Sequence, residues 1–193
     1  MKKILTVLLL IIAIFVGVVM TRPNTFHVER SASIAAAPEA VYANVVDFHR
    51  WPAWSPWEKL DPNMKKDYEG AGSGVGAAYH WAGNDKVGEG RMTIAEADPA
   101  RKVGIQLDFI KPFAATNTAS FAFTPSPAGT DVVWAMDGQH NFISKAMCLF
   151  VSMDQMVGKD FETGLAQLKT VVEAEAAAAP ADTTAAADTT ATP

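Results

Sequence analysis

The chain has 193 residues, enough for one domain of ordinary size with appendages at its ends. Its 16 Lys and Arg against 21 Asp and Glu give a net charge of −5, and the basic residues stand singly, which speaks against a nucleic-acid partner. A single cysteine, Cys148, excludes a disulfide within the chain.

Residues 4–20 are apolar except for Thr6, and no charge falls between Lys3 and Arg22. That length lies at the lower limit for crossing a bilayer, roughly 17 to 25 residues. The run is apolar on every face, unlike a core helix of a soluble domain. Lys2 and Lys3 ahead of it match the start of a secretory signal, but Val18 to Arg22 offers no small-residue cleavage pattern. No cysteine follows that could carry a lipid. The expectation is an uncleaved signal anchor over residues 1–25, in contact with the membrane through residues 4–20. A very short basic N-terminus normally stays in the cytosol, so a single-pass protein of the cytoplasmic membrane is expected, with its soluble part on the periplasmic or extracytoplasmic side.

Phe26 to Ile34 alternates as a first strand. Pro38 and Glu39 suit the first turn of a helix, and Val41, Tyr42, Val45, Val46 and Phe48 repeat at helical spacing behind them. The run from His49 to Trp57 then holds three of the five tryptophans, at positions 51, 54 and 57, with Pro52 and Pro56 between them. Those prolines forbid a continuous helix or central strand, so a rigid indole-rich loop is expected. Because their spacing of three keeps the indoles off a single strand face, some rings should seal the core while at least one stands at a cavity mouth.

Extended runs follow at 65–69, 75–81, 87–96, 102–110, 115–124 and 130–137, each bounded by turn residues. Their short separations favour an antiparallel meander. Alternation puts Tyr79, Trp81, Met92, Ile94, Val103, Ile105, Leu107, Phe109, Phe121, Phe123, Val132, Trp134 and Met136 on the concave, buried face. Glu89, Arg91, Thr93, Gln106 and Asp108 fall on the other face, and His80 should point outward with them. The segment 83–90 reads as a hairpin turn rather than a phosphate loop, since it opens a strand and lacks the required spacing. A sustained apolar stripe from about Ser144 to Glu173 predicts one long helix, about 45 Å at 1.5 Å per residue, lying across the sheet. From Ala174 the chain is almost entirely Ala, Thr, Pro, Asp and Glu, so residues 174–193 read as a disordered tail, with a helix able to continue a few residues before Pro180.

This order, with the words Ala37-Pro38-Glu39-Ala40-Val41-Tyr42, Trp51 to Trp57, Gly83 to Gly90 and Phe161 to Lys169, resembles the START-like helix-grip superfamily, SRPBCC. That superfamily takes in polyketide cyclase/dehydrase-like and lipid-transport proteins, and the resemblance covers residues 26–173. It implies an α+β helix-grip fold, a curved antiparallel sheet wrapped around a long C-terminal helix, with a deep cavity between them for an apolar or amphipathic ligand.

The expected walls of that cavity are Trp54, Trp57, Trp81, Phe109, Trp134, Met136, Phe150, Met153 and Met156. Met147 is placed near the same interior, because methionine adapts to irregular ligands. Asn117 shares parity with Phe121 and Phe123 and so could present an amide inward, either to a ligand or to the backbone. Cys148 reads as a small buried apolar residue. The four histidines lack metal-ligand spacing, and neither a paired-cysteine motif nor a nucleophile elbow is present, so no metal and no cofactor are implied. Three functions fit: a membrane-anchored domain that binds a hydrophobic small molecule or lipid, a cyclase/dehydrase-like enzyme using the same cavity with a histidine or acid as base, or a module that docks another envelope protein.

Overall fold

The computed structural model describes residues 1–179. Most of the expected tail therefore lies outside the described residues. The chain runs α1 (Lys2–Met20), β1 (Thr25–Ile34), α2 (Pro38–Val45), two short 3-10 segments (Phe48–Ala53 and Pro56–Lys59), and β2 (Lys65–Gly70). Then come β3 (Ala77–Ala82), β4 (Glu89–Asp98), β5 (Lys102–Lys111), β6 (Ala115–Ser126), β7 (Gly129–Gln139), α3 (Phe142–Met147) and α4 (Met153–Ala178).

The seven strands form one sheet in the order β1-β7-β6-β5-β4-β3-β2, every pair antiparallel. The meander supplies all neighbours except β1, which is carried back beside β7 to complete the sheet. Register shifts between Glu89 and Gly90 and between Ile94 and Glu96 interrupt the β4–β5 ladder, irregularities of the kind that bend a strand. Gly90 faces Trp81 across the β3–β4 pair, and a Cβ there would collide with the indole, so glycine at 90 is what lets the Trp81 ring lie over its neighbour. His80 lies on the convex face, 3.6 Å from Glu89 and 3.8 Å from Asp67.

The single long helix expected over 144–173 is two helices. The chain turns between Cys148 and Ser152, and α4 starts afresh there. Ser152 accepts a hydrogen bond from the Gln155 backbone N–H, and the Gln155 side chain accepts one from the Ser152 N–H. This reciprocal cap satisfies the orphan donors of a new helix start, so continuing the old helix gains nothing. Helix α4 then runs past residue 173 to Ala178. Its 26 residues, about 39 Å, lie along β1 and over Trp134 of β7.

Two glycines let α4 lie close to the strands. At Gly158 a Cβ would strike the guanidinium of Arg30, which reaches up from β1 and donates at 2.7 Å to both Asp154 and Glu162. At Gly164 a Cβ would sit 2.7 Å from Trp134 Cζ3 and 3.1 Å from Pro56 Cδ. Around this contact Trp54, Phe121, Phe161, Leu165, Leu168, Val41, Val132 and Val172 form the packed core.

Gly164→Leu should therefore overpack the helix–sheet seam, costing about 1–3 kcal/mol and outweighing a helix-propensity gain of at most about 1 kcal/mol. Thermal unfolding followed by near-UV circular dichroism should show a lower midpoint, and an unchanged midpoint would contradict the close approach.

Candidate ligand-binding cavity

Trp134, on β7, is the hub of the interior. Its ring stacks on Phe161 of α4 at 4.1 Å and 7° between planes, and on Phe121 of β6 at 4.8 Å. Trp54 and Trp57 each meet it edge-on at 5.7 Å. The indole run reaches this point through the geometry of the 3-10 turn. Three residues per turn place Trp51 and Trp54 on one side, with ring centroids 4.7 Å apart. Their N–H groups donate to the carbonyls of Val45 (3.0 Å) and Asn44 (3.1 Å) at the end of α2. The first turn ends at Trp54, and a second starts at Pro56, so Trp57 leaves in another direction.

The Trp134 layer divides the concave face. Toward α2 the interior is filled. On the other side lies a cavity of about 400 Å³, within the range of roughly 300–1,000 Å³ usual for small-molecule sites. Trp57, Trp81, Met92, Leu107, Phe109 and Met136 make most of its wall, Ala119 its floor, and Met156, Val157 and Phe161 of α4 its roof. It is bounded at the sheet end by the β3–β4 and β5–β6 turns, where the lining residues Lys86, Lys111 and Pro112 are exposed. The apolar wall follows directly from alternation along β3 to β7, with every second side chain turned inward.

Polar groups interrupt this wall at three points, besides Ser55 and the Asp85, Lys86 and Lys111 side chains at the turns. The Glu58 side chain is 8% exposed, pairs with Lys66 and accepts a 3.2 Å hydrogen bond from the Tyr79 hydroxyl. Burial, reinforced by the negative charge of Glu58, pushes the Tyr79 hydroxyl far above its ordinary value, so it acts as a fixed donor. On α4, burial raises the Asp160 carboxyl above the usual carboxylate range, while the indole N–H of Trp57 pulls the other way. The third point is the Trp134 Nε1, buried without a hydrogen-bond partner. Its ring turns the Cζ3 edge toward Gly164, which directs the N–H away from α4. The result is an apolar chamber with donors and acceptors at separate points, suited to orienting a ligand of mixed character.

Of the ten residues expected to line a cavity, Trp57, Trp81, Phe109, Trp134, Met136 and Met156 do so. Trp54 instead lies wholly in the core, because its edge is fixed between Phe121 and Trp134, and Trp51 occupies the cavity side. Asn117 is buried behind the wall, its amide 4.0 Å from the Met136 sulfur and its Oδ1 unpartnered. Met153 packs against the core cluster at the start of α4 without reaching the cavity. Phe150, 81% exposed, points outward because it lies in the turn between α3 and α4 rather than on a helical stripe. Met147 is likewise exposed. Glu58, Tyr79 and Asp160 were not picked out as site residues by sequence reasoning. Tyr79 shows in the strand parity, but isolated acids carry no pattern that would mark Glu58 or Asp160. Among the described residues, no three His, Cys, Asp or Glu side chains converge as metal ligands would.

The model of a family described as polyketide cyclase / dehydrase and lipid transport matches residues 25–173. A comparison with curated proteins returned no match. Among solved structures, protein CV1439 from Chromobacterium violaceum is 19% identical with a TM-score of 0.53, covering 78% of this chain and 99% of that one. The Aha1 dimer from Colwellia psychrerythraea is 16% identical with a TM-score of 0.55, covering 77% and 96%. The di-domain ARO/CYC StfQ from the steffimycin biosynthetic pathway is 13% identical with a TM-score of 0.60, covering 80% of this chain and 52% of that one. At these identities the likeness concerns the fold.

The two sides of the Trp134 layer should respond differently to truncation. Trp54→Ala should cost about 3–5 kcal/mol of stability, the usual loss for a buried tryptophan, whereas Trp57→Ala, at the cavity wall, should cost less than half as much. Equal losses in chemical denaturation would contradict the division. Asp160 gives a pH signature. A carboxyl raised in the folded state opposes folding when ionised, and that penalty disappears as pH falls below the ordinary carboxylate value. Asp160→Asn should therefore stabilise the protein at pH 7, with the difference shrinking toward pH 4; a pH-independent difference would exclude the effect.

Proposed function

The chain belongs to the polyketide cyclase / dehydrase and lipid transport family, and on that premise we propose that it holds a hydrophobic or amphipathic small molecule in the cavity beneath α4 while anchored to a membrane by α1. The observation that carries the reading is the chamber itself: about 400 Å³, walled by aromatic, aliphatic and methionine side chains, with Glu58, Tyr79 and Asp160 as polar points inside it and Asp85, Lys86 and Lys111 at the turns that bound it. Its volume, near the low end of the usual range, suits a single-chain amphiphile or a compact fused-ring molecule more than a two-chain lipid. Apolar surface supplies affinity without direction, and the polar points set which end of the ligand enters first.

The organisation supports the same reading. Helix α1 has 19 residues and a mean hydropathy of 2.9 over its best window, long and apolar enough to cross a membrane. In this proposal residues 1–25 anchor the chain, residues 26–173 carry the cavity, and the domain lies on the extracytoplasmic side of the cytoplasmic membrane. Tethering holds the cavity at high effective concentration beside membrane-dissolved ligands.

Native mass spectrometry of the full chain, extracted in mild detergent, tests the assignment. The unaltered protein should carry a small-molecule adduct or take up added N-phenyl-1-naphthylamine in about one-to-one ratio. Ala119→Trp, which fills the floor, and Leu107→Glu, which places a charge in the wall, should each remove it. Retention of the bound mass in both variants, or no uptake by the unaltered protein, would overturn the reading.

A further inference from the structure

The register puts one set of chain ends together. The start of β1 lies beside the end of β7, the start of β6 beside the end of β7, and the end of β5 beside the starts of β6 and β4. The same end of the sheet therefore carries the exit from α1, the β5–β6 turn, the entrance to α3 and the exposed cavity residues Lys86 and Lys111. It also carries large apolar side chains open to solvent: Ile110 at the end of β5, Phe113 on the β5–β6 turn, and Ile143, Met147, Phe150 and Val151 on α3 and the turn after it. Between Asn141 and Ser152 the only charged residue is Lys145, and its buried amine turns inward to the Asn24 side chain. The outer surface of this segment is left uncharged.

The depth of the patch follows from α1. Helix α1 packs against α3, and Val19, in the last turn of α1, is fully buried, the only residue of that helix that is. At 1.5 Å per residue its 19 residues span about 28 Å, against a hydrocarbon core of about 30 Å. The helix has no length to spare, so its last turn must stay at the hydrocarbon boundary. Whatever packs on Val19 shares that level.

We infer that the apolar rim formed by α3, the turn after it and the β5–β6 turn is embedded in the bilayer interface, so that the mouth of the cavity opens onto the membrane and is loaded from it. The inference rests on the anchoring read for α1 and goes beyond it, since an anchor alone would leave the domain free in water. The surface fits lipid better than a protein partner, because it is continuous with the membrane-spanning helix and its α3 side, between Asn141 and Ser152, presents no outward charge to orient a docked protein. Exposed Lys86 beside the mouth, with Lys111 next to it paired to Glu89 at 2.6 Å, stands where headgroup phosphates would lie.

Depth measurement by spin labelling tests this on the full chain in liposomes of phosphatidylcholine and phosphatidylglycerol. Cys148→Ser removes the native thiol, and single labels are then placed by Ile12→Cys in α1, Phe150→Cys and Phe113→Cys on the rim, and Ala128→Cys at the opposite end of the sheet. Labels at 12, 150 and 113 should collide more with oxygen than with a water-soluble nickel chelate, and the ratio should reverse at 128. If 12 is embedded while 150 and 113 behave as 128 does, the anchor stands and the inference fails, leaving the patch to a protein partner. If 12 itself is aqueous, the anchor fails and the inference falls with it.

Discussion

Everything in the sheet-and-helix domain is organised around the stack of Trp134 on Phe161. It joins β7, next to the β1 edge of the sheet, to the first half of α4, with ring planes 7° apart, in a seam tight enough that residue 164 has to be glycine. Such a stack contributes about 0.5–1.5 kcal/mol beyond the area it buries, but its larger consequence is positional. With the helix held down at this point, the concave face has a filled half toward α2 and an open half toward the β3–β4 and β5–β6 turns. The core and the cavity are two sides of one aromatic wall.

That arrangement explains why tryptophans dominate the sequence between α2 and β2. Trp51 and Trp54 use their N–H groups to tie the 3-10 turn to the last carbonyls of α2; the Trp54 ring closes the filled half, while the Trp51 ring borders the cavity. Trp57, one turn later, belongs to the open half. A rigid amphipathic side chain serves both purposes because it satisfies a backbone acceptor at one end and presents a large apolar face at the other. The same wall gives the cavity its few polar features, since Trp57 approaches Asp160 and Tyr79 approaches Glu58 where water is scarce.

Much of this was legible in the sequence. Alternation from Tyr79 to Met136 assigned the inward face of five strands, because a period of two needs no knowledge of partners. Proline and glycine spacing placed the turns. What escaped notice depends on contacts between distant residues. The break at residues 148–152 hid inside a plausible apolar stripe, although Ser152 and Gln155 carry the capping spacing that marks a helix start. Phe150 was misplaced for that reason alone. Which indole faces the cavity could not be read from three tryptophans in seven residues, since the choice is made by α2 carbonyls and the Trp134 ring. Glu58 and Asp160 gain their character only from burial, which isolated acids do not advertise.

The central claim is that the open half of the Trp134 wall is a ligand chamber rather than a packing defect. The most direct measurement is a filtered NOE experiment on the full chain in nanodiscs, with methionine methyls carbon-13 labelled and everything else that binds left unlabelled. Met92 and Met136 line the chamber, while Met147 lies outside it. A ligand chamber should give intermolecular NOEs from a bound small molecule or acyl chain to the Met92 and Met136 methyls. NOEs from those two methyls only to protein protons, with the chamber closed by its own side chains, would contradict it.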